Sequence, residues 1–142
     1  MEHCHVYLAG SMSGISLEDQ MKWRNQIKDA ILYGGYDYDI KPHFFLPPLY
    51  YGFEEKRHNT EKEVMDFDLN RLRKSDLVIV NFNNPNSLGT AMELAIAFEN
   101  KIPVIGLNEN NAELHPWLIE CTTRMCNNME ELVEHVVQFY LS

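Results

Sequence analysis

Two apolar runs on either side of one helical stretch constrain this chain most. Residues 77–82 read LVIVNF and residues 103–107 read PVIGL. A near-continuous apolar strand, without the in–out alternation of a half-exposed one, belongs in the middle of a parallel sheet covered on both faces. The residues between them hold a turn at 83–86 (NNPN) and then a helix, LGTAMELAIAFE. Strand, helix, strand in that order implies a right-handed crossover between parallel neighbours.

The rest of the chain continues this alternation. Residues 6–9 (VYLA) form a short strand that ends in a glycine-rich loop, Gly10-Ser11-Met12-Ser13-Gly14. A helix is predicted over 17–33, with Ser16 as N-cap, Glu18 and Asp19 in its first turn, and Gly34-Gly35 as its stop. Residues 36–40 alternate weakly and read as a second strand. Residues 43–60, HFFLPPLYYGFEEKRHNT, read as a long aromatic loop, because Pro47-Pro48 excludes helix and central strand. Thr60 and Glu63 form a capping box for a helix over 60–74. After the second apolar run come a loop at 108–111, a short helix over 113–119, a fifth strand over 123–126 and an amphipathic helix over 129–141. The expectation is one α/β domain over residues 1–142: a doubly wound, five-stranded parallel sheet of flavodoxin or Rossmann type.

Composition narrows function. A formal charge of −9 argues against a general nucleic-acid or anionic-membrane binder. No run of eighteen apolar residues appears, and MEHCHVYLAG leads straight into a strand without a secretory pattern. The three cysteines, Cys4, Cys121 and Cys126, fit reduced thiols in a cytoplasm. His3 and His5 share a strand face, but no partner pair of ligands stands at metal-site spacing. The expectation is therefore no metal, with a fraying N-terminus and two small buried thiols.

One acid stands out against this background. Glu93 lies within an apolar helix, and its neighbours three and four residues away are Gly89, Thr90, Ile96 and Ala97. None neutralises a carboxylate, so Glu93 sits either at a rim reaching water or in a pocket that uses its charge. In sheets of this class ligands bind beyond the carboxyl ends of the strands. That places the Gly10–Gly14 loop, the stretch from Asn81 through Ser87 to Gly89, and the loop after Asn108 in one crevice, within reach of Glu93. Both glycine- and serine-containing turns precede helix N-termini, which suit an anion or a sugar. Neither matches a dinucleotide or P-loop fingerprint. Asp68, in DFDLNRLRKSD, reads either as a surface acid paired with Arg71 or as a site acid. Asp66 and Asp76 compete with it, and periodicity does not choose among the three. Tyr7 faces away from Val6 and Leu8, by default into a core.

Three segments, VYLAGSMSG, DFDLNRLRKSDLVIVNF and SLGTAMELAIAFENKIPVIGL, together resemble the nucleoside 2-deoxyribosyltransferase family and its relatives, the 2′-deoxynucleoside 5′-phosphate N-hydrolases. The resemblance runs from about Val6 to Met129. It implies that Glu93 is the nucleophile that attacks the anomeric carbon and forms a glycosyl-enzyme intermediate. It implies that Tyr7 orients that glutamate and that Asp68 contacts the leaving base. It further implies that Gly10, Ser11, Met12, Asn81, Ser87 and Gly89 line the nucleotide site. Thr122 or Thr123 falls near the position where a neighbouring subunit completes the pocket.

One departure from the family pattern is informative. The transferases often carry an aspartate six residues before the nucleophile, where Ser87 stands here, and a serine tolerates a 5′-phosphate that an aspartate repels. The resemblance thus implies a cytoplasmic, homo-oligomeric transferase of deoxyribose between bases. It needs no cofactor and takes a small nucleoside or nucleotide, with neither nucleic acid nor membrane as partner. The alternatives are a deoxynucleoside 5′-monophosphate N-hydrolase, which transfers to water, and a non-catalytic nucleotide-binding module.

Overall fold

A computed structural model describes residues 2–51 and 58–142 of the chain. In chain order it contains β1 (His3–Ala9), α1 (Leu17–Tyr33), β2 (Lys41–Phe45), α2 (Pro48–Tyr51), α3 (Glu61–Arg73), β3 (Leu77–Asn81), α4 (Leu88–Glu99), β4 (Val104–Leu107), α5 (Pro116–Glu120), β5 (Arg124–Cys126) and α6 (Met129–Tyr140). The five strands form one sheet in the order β2-β1-β3-β4-β5, and every pair is parallel. This is the doubly wound fold the apolar runs require. All five residues of β3 and all four of β4 are buried.

Two cores sandwich the sheet. Val6, Leu8, Ile79 and Ile105 point to one side, against Ile27 and Ile31 of α1 and Leu132, Val133, Val136 and Val137 of α6. Tyr7, Ala9, Val78 and Val80 point to the other, against Leu72 of α3 and Leu94 and Ala97 of α4. The crossover after β1 thus covers one face and the crossover after β3 the other, so a crevice opens at the carboxyl ends of these two strands.

Local chemistry sets the helix ends. Ser16 accepts from Asp19 N, and Thr60 and Glu63 close the capping box at α3. Gly35 has φ 81°, the left-handed turn that ends α1.

Several sequence expectations are corrected. The second strand is Lys41–Phe45 rather than 36–40, in register with β1 from His3↔Lys41 to Tyr7↔Phe45. Pro42 is tolerated because β2 is an edge strand, where one row of N–H groups has no ladder partner. Pro47-Pro48 does not exclude a helix: Pro48 opens α2, at the position where a missing N–H costs nothing. Residues 52–57 of the expected aromatic loop lie outside the described residues. Where a fraying start is expected, the described residues already form β1 from His3, and His3 to Tyr7 pair with Lys41 to Phe45 of β2. The helix expected at 113–119 is Pro116–Glu120, with Pro116 in its first turn and His115 as N-cap. Of the two thiols expected to be buried, Cys126 is and Cys121 is partly exposed. Among the described residues, no helix is long and apolar enough to cross a membrane.

Candidate active site

A cavity of about 490 Å³ opens between the β1–α1 loop, α3 and the start of α4. Its volume lies in the range of small-molecule sites. Gly10, Met12, Asp68, Ser87, Gly89 and Glu93 all line it. Three separate segments thus deliver the expected residues to one place.

Glu93 finds its partner on the sheet and not on its own helix. Tyr7, fully buried in the middle strands, donates from Oη to Glu93 Oε2. β1 runs next to β3, and α4 crosses back over the face that Tyr7 occupies, which brings the two side chains together across 86 positions of sequence. Glu93 as a residue is partly exposed, whereas its carboxyl group is enclosed. Burial pushes that carboxyl up to about 7, against the Tyr7 hydrogen bond, which favours the ionised form. Burial and the nearby acids Glu93 and Asp68 hold the Tyr7 phenol protonated, well above its ordinary range.

Asp68 projects from α3 into the same cavity. Burial raises it to about 7 as well. It is not paired with Arg71, whose guanidinium lies over the Phe45 and Phe67 rings at 5.8 and 5.6 Å. The competing acids have other occupations: Asp66 pairs with Lys62 at 2.8 Å, and Asp76 accepts from His5 N at 2.8 Å. The wall therefore carries two carboxyls that hold a proton near neutrality. Such a pair can supply a nucleophile and an acid in one site.

The loops are arranged by their own hydrogen bonds. Gly10 is required by a close approach, because a Cβ there would meet the Trp23 ring at 2.6 Å. The Met12 carbonyl accepts from Gln20 Nε2 at 2.9 Å, and Ser11 Oγ accepts from Asn84 Nδ2 at 3.1 Å, tying the loop after β1 to the loop after β3. Ser87 caps α4, accepting from Thr90 N at 3.3 Å and Thr90 Oγ1 at 3.0 Å, while it lines the cavity. Asn81 is buried and its Oδ1 accepts from Asn83 N at 2.8 Å, which shapes the turn after β3. Neither Ser11 nor Asn81 lines the cavity.

Thr122 and Thr123 stand outside it too. Thr122 Oγ1 donates to Leu118 O at 2.7 Å, and Thr123 Oγ1 accepts from Val104 N at 3.0 Å. The cavity of this chain is therefore not where the two threonines stand. At the other end of the sheet, His3 Nδ1 lies 2.7 Å from His43 Nε2 and His5 stacks on His43 at 4.8 Å. Among the described residues no group of three or more His, Cys, Asp or Glu is placed to hold a metal ion.

Sequence reasoning missed two side chains of α1. Gln20 and Arg24 are buried, one turn apart, on the face that otherwise presents Ile27 and Ile31. Gln20 lines the cavity, donates from Nε2 to Met12 O and Ile15 O, and leaves its buried Oε1 without a partner. Arg24 donates to Leu8 O, Gly10 O and Gln20 O. The signal available was a polar pair at i and i+4 inside an apolar stripe.

A parallel α/β sheet with a cavity at its strand ends, walled by two proton-holding carboxyls, defines an enzyme-like site for a small molecule. The chain belongs to the nucleoside 2-deoxyribosyltransferase family, whose sequence model matches residues 6–136. It is accordingly an N-glycosyl transferase or hydrolase acting on nucleosides or nucleotides.

Solved structures share the fold at low identity. A conserved protein from Enterococcus faecalis superposes with a TM-score of 0.73 at 18% identity, covering 96% of this chain and 98% of that one. The 2-deoxyribosyltransferase of Bacillus psychrosaccharolyticus gives 0.67 at 16% identity, covering 91% and 90%. The CMP N-glycosidase of Clostridium botulinum gives 0.57 at 17% identity, covering 95% and 99%. No curated protein is a significant sequence match.

Proposed function

We propose that the enzyme cleaves the N-glycosidic bond of 2′-deoxynucleosides through a covalent deoxyribosyl ester on Glu93 and passes the sugar to a second base. The observation that carries this reading is the enclosed Glu93 carboxyl, held by Tyr7 and facing the same cavity as a second proton-holding acid, Asp68. In the first step a Glu93 carboxylate oxygen bonds to the anomeric carbon. The electron pair of the carbon–nitrogen bond leaves with the base, which takes the Asp68 proton. In the second step a nitrogen of the incoming base attacks the same carbon, Glu93 departs as carboxylate, and Asp68 recovers the proton. The Tyr7 hydroxyl keeps the carboxylate oriented throughout. The loop at Gly10 and Met12 and the α4 start at Ser87 and Gly89 hold the remainder of the substrate. No step needs a cofactor. The enzyme acts as a cytoplasmic homo-oligomer in which Thr122 and Thr123 complete a neighbouring copy's pocket.

A second reading changes the acceptor. Ser87, uncharged, lines the cavity at the N-terminus of the twelve-residue α4, where free N–H groups favour an anion. That favours a 5′-phosphate on the substrate and water as the acceptor, giving a deoxynucleotide N-hydrolase.

Incubation with deoxynucleosides and deoxynucleotides, with and without a second free base, tests both readings by chromatography. Base exchange is the transferase result, and release of base alone is the hydrolase result. No turnover of any substrate defeats both and leaves the non-catalytic binding module.

A further inference from the structure

A second pocket, of about 240 Å³, opens where β1 and the edge strand β2 meet the end of α3, and the reaction above does not use it. Four basic side chains line it: His5 of β1, His43 of β2, and Arg71 and Lys74 of the α3 end. Phe44 and Phe45 supply aromatic surface between them. Among the described residues no Asp or Glu lines this pocket, although the chain carries 21 acids against 12 lysines and arginines.

The surrounding contacts leave these cations free for a ligand. His5 and His43 stand opposite one another in the parallel ladder and stack at 4.8 Å. His43 meets His3 Nδ1 through Nε2 at 2.7 Å, which leaves its Nδ1 for a ligand. Arg71 is held over the Phe45 and Phe67 rings at 5.8 and 5.6 Å. It pairs with no described carboxylate, since the ion pair among the described residues is Lys62–Asp66. The groups that would oppose an anion are already engaged. Asp76 adjoins the pocket without lining it, and its Oδ2 accepts from His5 N at 2.8 Å. At the helix end, Arg71 O accepts from Ser75 Oγ at 2.8 Å and Leu72 O from Ser75 N at 3.0 Å.

We propose that this pocket is a binding site for a phosphate group, free or as a small monoester, separate from the catalytic cavity. A tetrahedral dianion offers oxygens on every side, and a guanidinium fork, an ammonium and two imidazoles from three elements match it. A carboxylate, with two oxygens in one plane, leaves half of those donors unused. A polyanion meets the net charge of −9 beyond the pocket and is repelled. The volume lies below the roughly 300–1,000 Å³ of sites that enclose a whole drug-sized ligand, so it admits a phosphate with at most a small sugar against the rings. The site stands close behind the catalytic one. Arg71 lies one turn beyond Asp68 on α3, and Phe45 packs against Tyr7 at 5.2 Å between centroids.

The test is a proton NMR titration of the full chain at neutral pH and constant ionic strength, with inorganic phosphate, with ribose 5-phosphate and, as the control, with chloride. Both imidazoles, His5 and His43, are expected to move saturably toward their protonated positions with phosphate, because a bound anion favours imidazolium. Chloride is expected to leave them in place. Tighter binding of ribose 5-phosphate assigns a sugar ester as the ligand, and equal binding assigns free phosphate. Arg71→Gln and Lys74→Gln are each expected to weaken phosphate binding roughly 10-fold, the scale of a charged hydrogen bond. Lys28→Gln, on α1 across the sheet, and Ser87→Asp, which puts a negative charge in the catalytic cavity, are expected to leave it unchanged. Imidazoles that do not saturate, or that move alike with chloride, overturn the proposal without need of any variant. Wild-type affinity in either α3 variant overturns it as well. So does an equal loss in Lys28→Gln, which makes the effect one of net charge, or a loss in Ser87→Asp, which places the phosphate in the catalytic cavity.

Discussion

Replacing Tyr7 by Phe removes one hydroxyl and nothing else. The ring stays in the sheet core against Phe45, 5.2 Å between centroids, while Glu93 loses its side-chain donor. A hydrogen bond to a charged group contributes about 1.5–3 kcal/mol, and one pKa unit corresponds to about 1.4 kcal/mol. The bond favours the ionised form, so its loss moves Glu93 upward by about one to two units. The Glu93 carboxyl already stands at about 7, so roughly half of it is ionised at neutral pH. After the substitution about a tenth to a hundredth remains, and the neutral-pH rate falls roughly 5- to 50-fold. We predict that most of this loss is recovered at alkaline pH with a substrate whose base leaves unprotonated, because Asp68 then drops out of the profile. The assay is kcat/KM against pH for wild type and Tyr7→Phe. A loss that persists at every pH, with the acid limb unmoved, refutes the reasoning and makes Tyr7 a packing residue.

Glu93→Gln is expected to abolish base release while stabilising the fold above pH 4.5. The folded carboxyl stands at about 7 against an ordinary 4.5, so between these values the folded state binds more protons than the unfolded chain and wild-type stability falls as pH rises. The Gln variant escapes that loss. Its melting advantage should therefore open between pH 4.5 and 7 and then level off, with a ceiling on the order of 3 kcal/mol; an advantage independent of pH contradicts it. Asp68→Asn is expected to slow turnover by roughly 100-fold, with the deficit shrinking for bases that leave easily; a uniform loss across bases, or one confined to KM, contradicts the acid role. Ser87→Asp keeps the helix cap but adds a charge at the cavity wall, so kcat/KM for deoxynucleotides should drop relative to deoxynucleosides, and an unchanged ratio removes Ser87 from the 5′ end of the substrate.

What could be read from the residues was whatever short-range physics determines. The helix at 17–33 appears with those bounds because Ser16 caps it and Gly34-Gly35 ends it. β3 and β4 appear where apolar runs demand burial on two faces. The second strand is expected at 36–40 because those residues alternate weakly, and 43–45 are read with the loop that Pro47-Pro48 marks; the strand forms instead at Lys41–Phe45 on the sheet edge, where Pro42 is tolerated, and edge position is a property of the assembled sheet. Pro48 misled for a related reason, since a proline that forbids a helix interior is suited to a helix start.

The site divides the same way. Glu93 was conspicuous because its burden is local: a carboxyl in an apolar helix with no partner a turn away. What relieves that burden comes from elsewhere in the sequence, from Tyr7 on a strand 86 positions away, and no helical or strand period connects the two. Asp66, Asp68 and Asp76 were indistinguishable by spacing. They separate only when tertiary structure gives Asp66 a lysine, Asp76 a backbone amide and Asp68 a cavity wall. Arg24 was invisible for a stronger reason. A lone arginine in a helix reads as solvated by default, and what buries it is the row of strand-end carbonyls that the fold brings to its guanidinium. The acids of such a site are thus detectable one at a time from sequence. The enclosure that raises both carboxyls exists only once the loop after β1, α3 and α4 have met.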